Sequence, residues 1–191
     1  MNKVFLRNFV LMVMIFVVTP LVFAAGPASV YKVQVKLVRL WNGTSWVTVF
    51  DGTSSTLDIA NVSSGASAGS FLSSLAVPDG TYTKVEVTPS PTFTYSGHDG
   101  TSYTTAATGT TLGSEQGTAA QEAEYTLTLT GGNIPTAQEQ DFSATPITVV
   151  DGEVDHIIHV NFDVSNAIEL NGAPGIQDLF PAPPVVTLTL Q

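Results

Sequence analysis

From Ile158 to Val164 the chain alternates strictly, with Ile158, Val160, Phe162 and Val164 on one side and His159, Asn161 and Asp163 on the other. A period of two over this length fits a strand with one face in a core and one in water, and it excludes an amphipathic helix. Just upstream, Ile147-Thr148-Val149-Val150 runs into Asp151-Gly152, a strong two-residue hairpin signal. The pattern therefore predicts a long antiparallel hairpin from Ile147 to Val164. Other strands must cover its apolar face.

The same alternation recurs along the chain. Tyr31, Val33, Val35 and Leu37 share one face against Lys32, Gln34 and Lys36, and then Val38-Arg39-Leu40-Trp41 shifts the phase, predicting a bulge or a change of sheet. Asn42-Gly43-Thr44-Ser45 turns the chain into Trp46–Phe50, and Asp51-Gly52 turns it again before Leu57-Asp58-Ile59. Val77-Pro78-Asp79-Gly80 is a tight turn leading into a strand from Tyr82 to Val87, which Pro89 and Pro91 end. Phe93-Thr94-Tyr95, Thr101-Ser102-Tyr103, Tyr125–Thr130 and Val185–Leu190 complete the set. Thr104 to Ala123, rich in Thr, Gly and Ala, reads as a long mobile surface loop. About seven to nine short strands with no sustained helical period predict an all-β fold, a single antiparallel β-sandwich.

The first residues predict a compartment. Lys3 and Arg7 precede an apolar run from Phe9 to Val18, Pro20 follows, and Val22-Phe23-Ala24 supplies small residues for cleavage. Residues 1–24 read as a signal peptide, too short in its apolar run for a span of ~20 residues, and 25–191 as one exported domain with no membrane span. Cysteine is absent, so an exported domain must be held by its core alone. After cleavage, Lys32, Lys36, Arg39 and Lys84 face 16 carboxylates, and no Lys or Arg follows Lys84. Without clustered cations, nucleic acid and anionic membranes are excluded as partners.

Several segments together resemble a known family. Trp46-Val47-Thr48-Val49, Leu57-Asp58-Ile59, the run Val77 to Val87, and Val160-Asn161-Phe162-Asp163-Val164 are similar, in order, to an uncharacterised family of exported bacterial and archaeal domains. That family has a prealbumin-like, carbohydrate-binding-like β-sandwich. The resemblance spans roughly residues 31 to 164 without the Thr/Gly/Ala loop, and it implies the fold and the compartment. It supplies no catalytic residue, and this chain lacks the lipid-anchoring Cys of many members.

Four constellations carry chemistry. Gly65-Ala66-Ser67-Ala68-Gly69 matches a nucleophile elbow, but that motif needs a parallel sheet with α/β repeats, which the pattern does not offer. His156 and His159 stand three apart, so on a strand they face opposite sides and cannot chelate one zinc ion. Asp151, Glu153 and Asp155 offer oxygens at alternate positions around a turn, making calcium the one cofactor candidate; a solvated acidic hairpin tip is the plainer reading. Trp41 and Trp46 bracket one turn, and Tyr95 and Tyr103 another that carries His98. Aromatic faces with polar rims stack on sugar rings, though the same residues also fill the ends of sandwiches.

The reading that follows is a non-enzymatic module at the cell surface or in the periplasm, structural or adhesive. A carbohydrate-binding module is the alternative, and a serine hydrolase a distant third. Its expected partners are surface glycans or further copies of itself. Val185–Leu190 carries no charge, so it either pairs within its own sandwich or is donated head to tail to a neighbour in a filament, with the basic first strand setting direction.

Overall fold

The computed structural model describes residues 25–61, 77–110, 112–156, 158–170 and 178–190. The expected signal peptide, the Gly65–Gly69 motif and the irregular stretch Gly172–Gly175 lie outside the described residues. The strands run in chain order as β1 (Ala25–Gly26), β2 (Ala28–Val33), β3 (Val35–Trp41), β4 (Trp46–Asp51), β5 (Leu57–Asp58) and β6 (Gly80–Tyr82). Then come β7 (Lys84–Pro89), β8 (Thr92–Gly97), β9 (Tyr103–Thr108), β10 (Ser114–Gly117), β11 (Tyr125–Thr128) and β12 (Gln138–Asp141). The last are β13 (Ile147–Val150), β14 (Glu153–Val154), β15 (Ile158–Asp163), β16 (Ile168–Leu170), β17 (Leu179–Pro181) and β18 (Val185–Leu190). The fold is all-β and antiparallel, a β-sandwich as the alternation predicts. Among the described residues, no helix is long and apolar enough to cross a membrane.

The strands are more numerous and shorter than expected because alternating runs change sheets partway. β2 lies between β8 and β5, whereas β3, one residue further on, lies between β7 and β4. At the break, Ser54 Oγ accepts the Val35 amide at 2.9 Å, and the Gln34 carbonyl accepts the Ser90 amide at 2.7 Å. Both Val35 backbone groups and the Gln34 carbonyl thus find partners at the change of sheet, the Val35 carbonyl accepting the Ser54 amide at 3.0 Å. The phase shift read at Val38-Arg39 is a register shift in the β3–β4 ladder at that point. Val35, Val38 and Leu40 are buried in consequence.

Two cores result. In the first, β2, β5, β8 and β11 supply Tyr31, Leu57, Tyr95 and Leu127, and β16 and β17 supply Ile168 and Leu179. The Tyr95 hydroxyl donates to the Leu179 carbonyl at 2.8 Å, and the Tyr31 hydroxyl donates to the Ala182 carbonyl at 3.0 Å. In the second, Val35, Val38, Leu40 and Val85 pack against Tyr82 of β6 and Val149 of β13. Phe162 and Val164 pack on the first core while Asn161 and Asp163 are exposed, as the alternation requires.

Two expectations are corrected. The Asp151-Gly152 turn forms, with φ of 53° and 79°, the positive values of a type I′ hairpin. The hairpin is short, however: β14 ends at Val154, and Asp155 leaves the ladder with its carboxylate on the Thr148 amide. β15 then pairs with β18 of the same chain, from Ile158↔Leu190 to Asp163↔Val185. The last strand thus pairs within its own chain, in the two-stranded sheet β15-β18. Finally, the stretch 104–123 is not a structureless loop. β9 and β10 form a hairpin within it, and Thr104 is fully buried, its hydroxyl accepting the Gly97 amide and donating to the Ala123 carbonyl.

The glycines of that hairpin serve close approach. Asp178, buried before β17, accepts the Thr110 amide at 2.8 Å. A Cβ at Gly109 would stand 2.2 Å from Asp178 Oδ1, and one at Gly113 would stand 2.3 Å from the Leu179 carbonyl oxygen. Gly109→Ala is expected to cost about 2 kcal/mol, as overpacking does; a denaturant midpoint equal to that of the natural chain would refute this packing.

The buried hydroxyls give a second expectation. Burial pushes the Tyr31 hydroxyl up to about 12 and the Tyr95 hydroxyl higher still. A raised value means that stability is intact below the free phenol's value of about 10 and is lost as pH rises through the folded value. The last phenolate absorbance should therefore appear together with loss of the circular dichroism signal, around pH 12 or above. Complete ionisation in a chain that still gives a native spectrum would contradict the burial.

Candidate functional site

The outer face of the sheet β12-β7-β3-β4 gathers most of the polar and aromatic groups that sequence reading singled out or overlooked. Its nearest organiser is the β3–β4 turn. Asn42 Oδ1 accepts the amides of Thr44 and Ser45 at 2.9 and 2.8 Å, and Gly43 adopts φ 89°, where only a residue without Cβ is unstrained. That closed turn sets Trp41 directly opposite Trp46. Their rings meet at 5.4 Å between centroids, tilted by 59°, and both are half-buried. Neither belongs to either buried core.

Register extends this pair across the sheet. One row reads Trp46, Trp41, Lys84, Asp141 and the next reads Thr48, Arg39, Glu86, Glu139. Buried Leu40 and Val85 stand between the rows with their side chains in the core, so alternation turns both rows outward. Arg39 Nε donates to Glu86 Oε1 at 2.8 Å, while its guanidinium carbon lies 5.6 Å from the Trp46 ring centre. Lys84 Nζ donates to Glu139 Oε1 at 2.8 Å and stands 3.9 Å from Asp141 Oδ2. Glu86 and Glu139 are directly opposite one another, a repulsive placement that the two cations relieve.

The hydrogen bond from Lys84 to Glu139, with the attraction of that carboxylate, raises the Lys84 ammonium above its usual range. Ser143, whose amide donates to Asp141 Oδ1 at 2.8 Å, holds the Asp141 carboxyl below its usual range.

Of the residues expected to bind, Trp41 and Trp46 are together. Tyr95 is not available: it is completely buried in the first core, so its assignment as a ligand residue is withdrawn. The residue alternates with polar Thr94 and Ser96 on β8, and its inward phase was the sequence signal for a core role. His98 and Tyr103 pair across a bridge with rings 5.0 Å apart, outside the sheet β12-β7-β3-β4 that carries the tryptophans. His98 Nδ1 accepts the Gly100 amide at 3.0 Å and Asp99 Oδ1 accepts those of Thr101 and Ser102, so these groups shape the turn itself.

Asp151, Glu153 and Asp155 do not converge. Among the described residues, no three His, Cys, Asp or Glu lie together as a metal site. The Thr148 amide at 2.7 Å, and after it His156, hold Asp155 below the usual carboxylate range. Sequence reading missed Arg39, Lys84, Glu86, Glu139 and Asp141 as a group. Lys84 and Glu86 do alternate visibly on one strand, but the wholly polar Gln138–Asp141 carries no strand signal.

Comparison with known proteins gives no match to any family model, curated protein or solved structure.

A depressed carboxyl value stabilises the fold above the unfolded value, and that stability is lost as pH falls through the folded one. The melting temperature of the natural chain should thus fall as pH drops below the usual Asp value of 3.8. In Asp141→Asn, which keeps the turn's acceptor, the fall should be shallower. Parallel curves for the two chains would show that Asp141 carries none of the acid sensitivity.

Proposed function

We propose that this chain is an exported, non-enzymatic adhesive module that holds glycans on the outer face of the sheet β12-β7-β3-β4. One observation carries the reading: two half-buried tryptophans lie side by side outside both cores, in register with paired charges. Large aromatic rings left at the surface cost hydration, and an apolar ligand face recovers it. Pyranose rings present such a face, and their rims of hydroxyls suit the adjoining carboxylate, guanidinium and ammonium groups. The likeness to carbohydrate-binding-like domains noted in the sequence points the same way. Export rests on the first 24 residues.

Assembly by strand donation has less support than glycan adhesion. β18 already has a six-residue partner in its own chain. Lys32 is paired with Glu124 and Arg39 with Glu86, so two of the three first-strand cations expected to steer a neighbour are already engaged.

Binding to immobilised glycans is the test. Trp46→Ala should weaken retention at least about tenfold, equivalent to about 1.4 kcal/mol, with a melting temperature close to that of the natural chain. Undiminished retention by the folded variant would exclude this face.

A further inference from the structure

We infer that the ligand of this face is an uncharged linear oligosaccharide lying across the strands, stacked on Trp41 and Trp46 at one end and hydrogen-bonded near Lys84, Glu139 and Asp141 at the other. The inference rests on the glycan-binding reading above and names the class of glycan. Its first support is the direction of the rows. Trp46, Trp41, Lys84 and Asp141 stand on four adjacent strands. Three inter-strand steps of ~4.8 Å carry the row over roughly 14 Å. That length exceeds one sugar ring, so a single ring on the tryptophans reaches no further than Lys84 and leaves Glu139 and Asp141 on β12 uncontacted. A chain of several rings reaches both ends.

The second support is the state of the charges. Two cations, Arg39 and Lys84, share the face with three carboxylates, Glu86, Glu139 and Asp141, and both cations are bonded to carboxylates in place. A sulfate or uronate would have to pull a cation from its partner, and would do so against the field of a chain with net charge −10. A hydroxyl has no such requirement. It donates to a carboxylate oxygen and accepts from a guanidinium or ammonium N–H without separating the pair. The cations and carboxylates thus form a fixed lattice of donors and acceptors matched to a polyol.

Calorimetry separates the outcomes. The probes are neutral hexasaccharides and disaccharides of glucose, mannose, xylose and N-acetylglucosamine, together with heparin, polygalacturonate and chitosan oligomers. At least one neutral hexasaccharide should bind, at least about tenfold more tightly than the disaccharide of the same sugar, with little change between low and high salt. Glu139→Gln, an exposed change on the edge strand, should weaken the hexasaccharide several-fold and leave the disaccharide unchanged. Equal affinity for short and long sugars would overturn the transverse placement. Binding of only charged glycans, still abolished by Trp46→Ala, would overturn this inference while the glycan-binding reading stands. Failure of every glycan to bind would overturn both.

Discussion

Between Ala28 and Trp41 one extended segment serves as an interior strand of two sheets, and the two cores are joined through it. Its first half carries Tyr31 into the first core and its second half carries Val35, Val38 and Leu40 into the second. The change of sheet is feasible because the break at Gln34 leaves few polar groups unmatched. Ser54 returns both a hydroxyl acceptor and an amide donor to Val35, and Ser90 covers the Gln34 carbonyl. Loss of alignment there would disturb both cores and would also shift Trp41, which ends the segment. Site and fold therefore depend on the same fourteen or so residues.

The fold was readable in the sequence wherever one face met water. Phe162 and Val164 against Asn161 and Asp163, the phase shift at Val38-Arg39, and the Asp151-Gly152 turn all follow from local periodicity or local φ preferences. What was not readable depends on distant partners. Gly109 and Gly113 look like flexibility in the sequence, but their missing Cβ atoms make room for Asp178 and Leu179, some seventy residues away. Tyr95 alternates inward on β8, but the carbonyl of Leu179 that accepts its buried hydroxyl lies far along the chain. The chain between Val154 and Ile158 keeps a strand-like composition, while Asp155 diverts it by capturing the Thr148 amide. In the site, Trp41 and Trp46 were visible as a pair around a turn. Their alignment with Lys84 and Asp141 is a property of register between strands more than forty residues apart.

A domain without disulfides must draw its specificity from buried polar contacts as well as apolar area. The two tyrosine hydroxyls that cross to Leu179 and Ala182 do so in the first core. Each anchors the β17 region to the opposite sheet at one defined height, where sliding by a residue would leave a buried hydroxyl and a buried carbonyl unpaired. Thr104 acts similarly between β8 and the segment that leads from β10 into β11. Apolar contacts alone tolerate such slips far better, because burial is non-directional.

The ion pairs on the outer face of β12-β7-β3-β4 call for a different explanation. Exposed pairs of this kind contribute little stability, typically ~0–1 kcal/mol, so their alignment is poorly accounted for by folding energy. β12 itself illustrates two demands met by one composition. As the edge of its sheet it presents unpaired backbone groups, and Gln138, Glu139, Gln140 and Asp141 are all exposed and polar, which discourages another strand from adding there. The outward members of the same four, Glu139 and Asp141, receive Lys84 and so complete the polar end of the row that begins at Trp46. An edge guarded only against aggregation has no need to place its carboxylates opposite a lysine in register with two tryptophans. The placement makes sense if the face is built to hold something wetter than a strand.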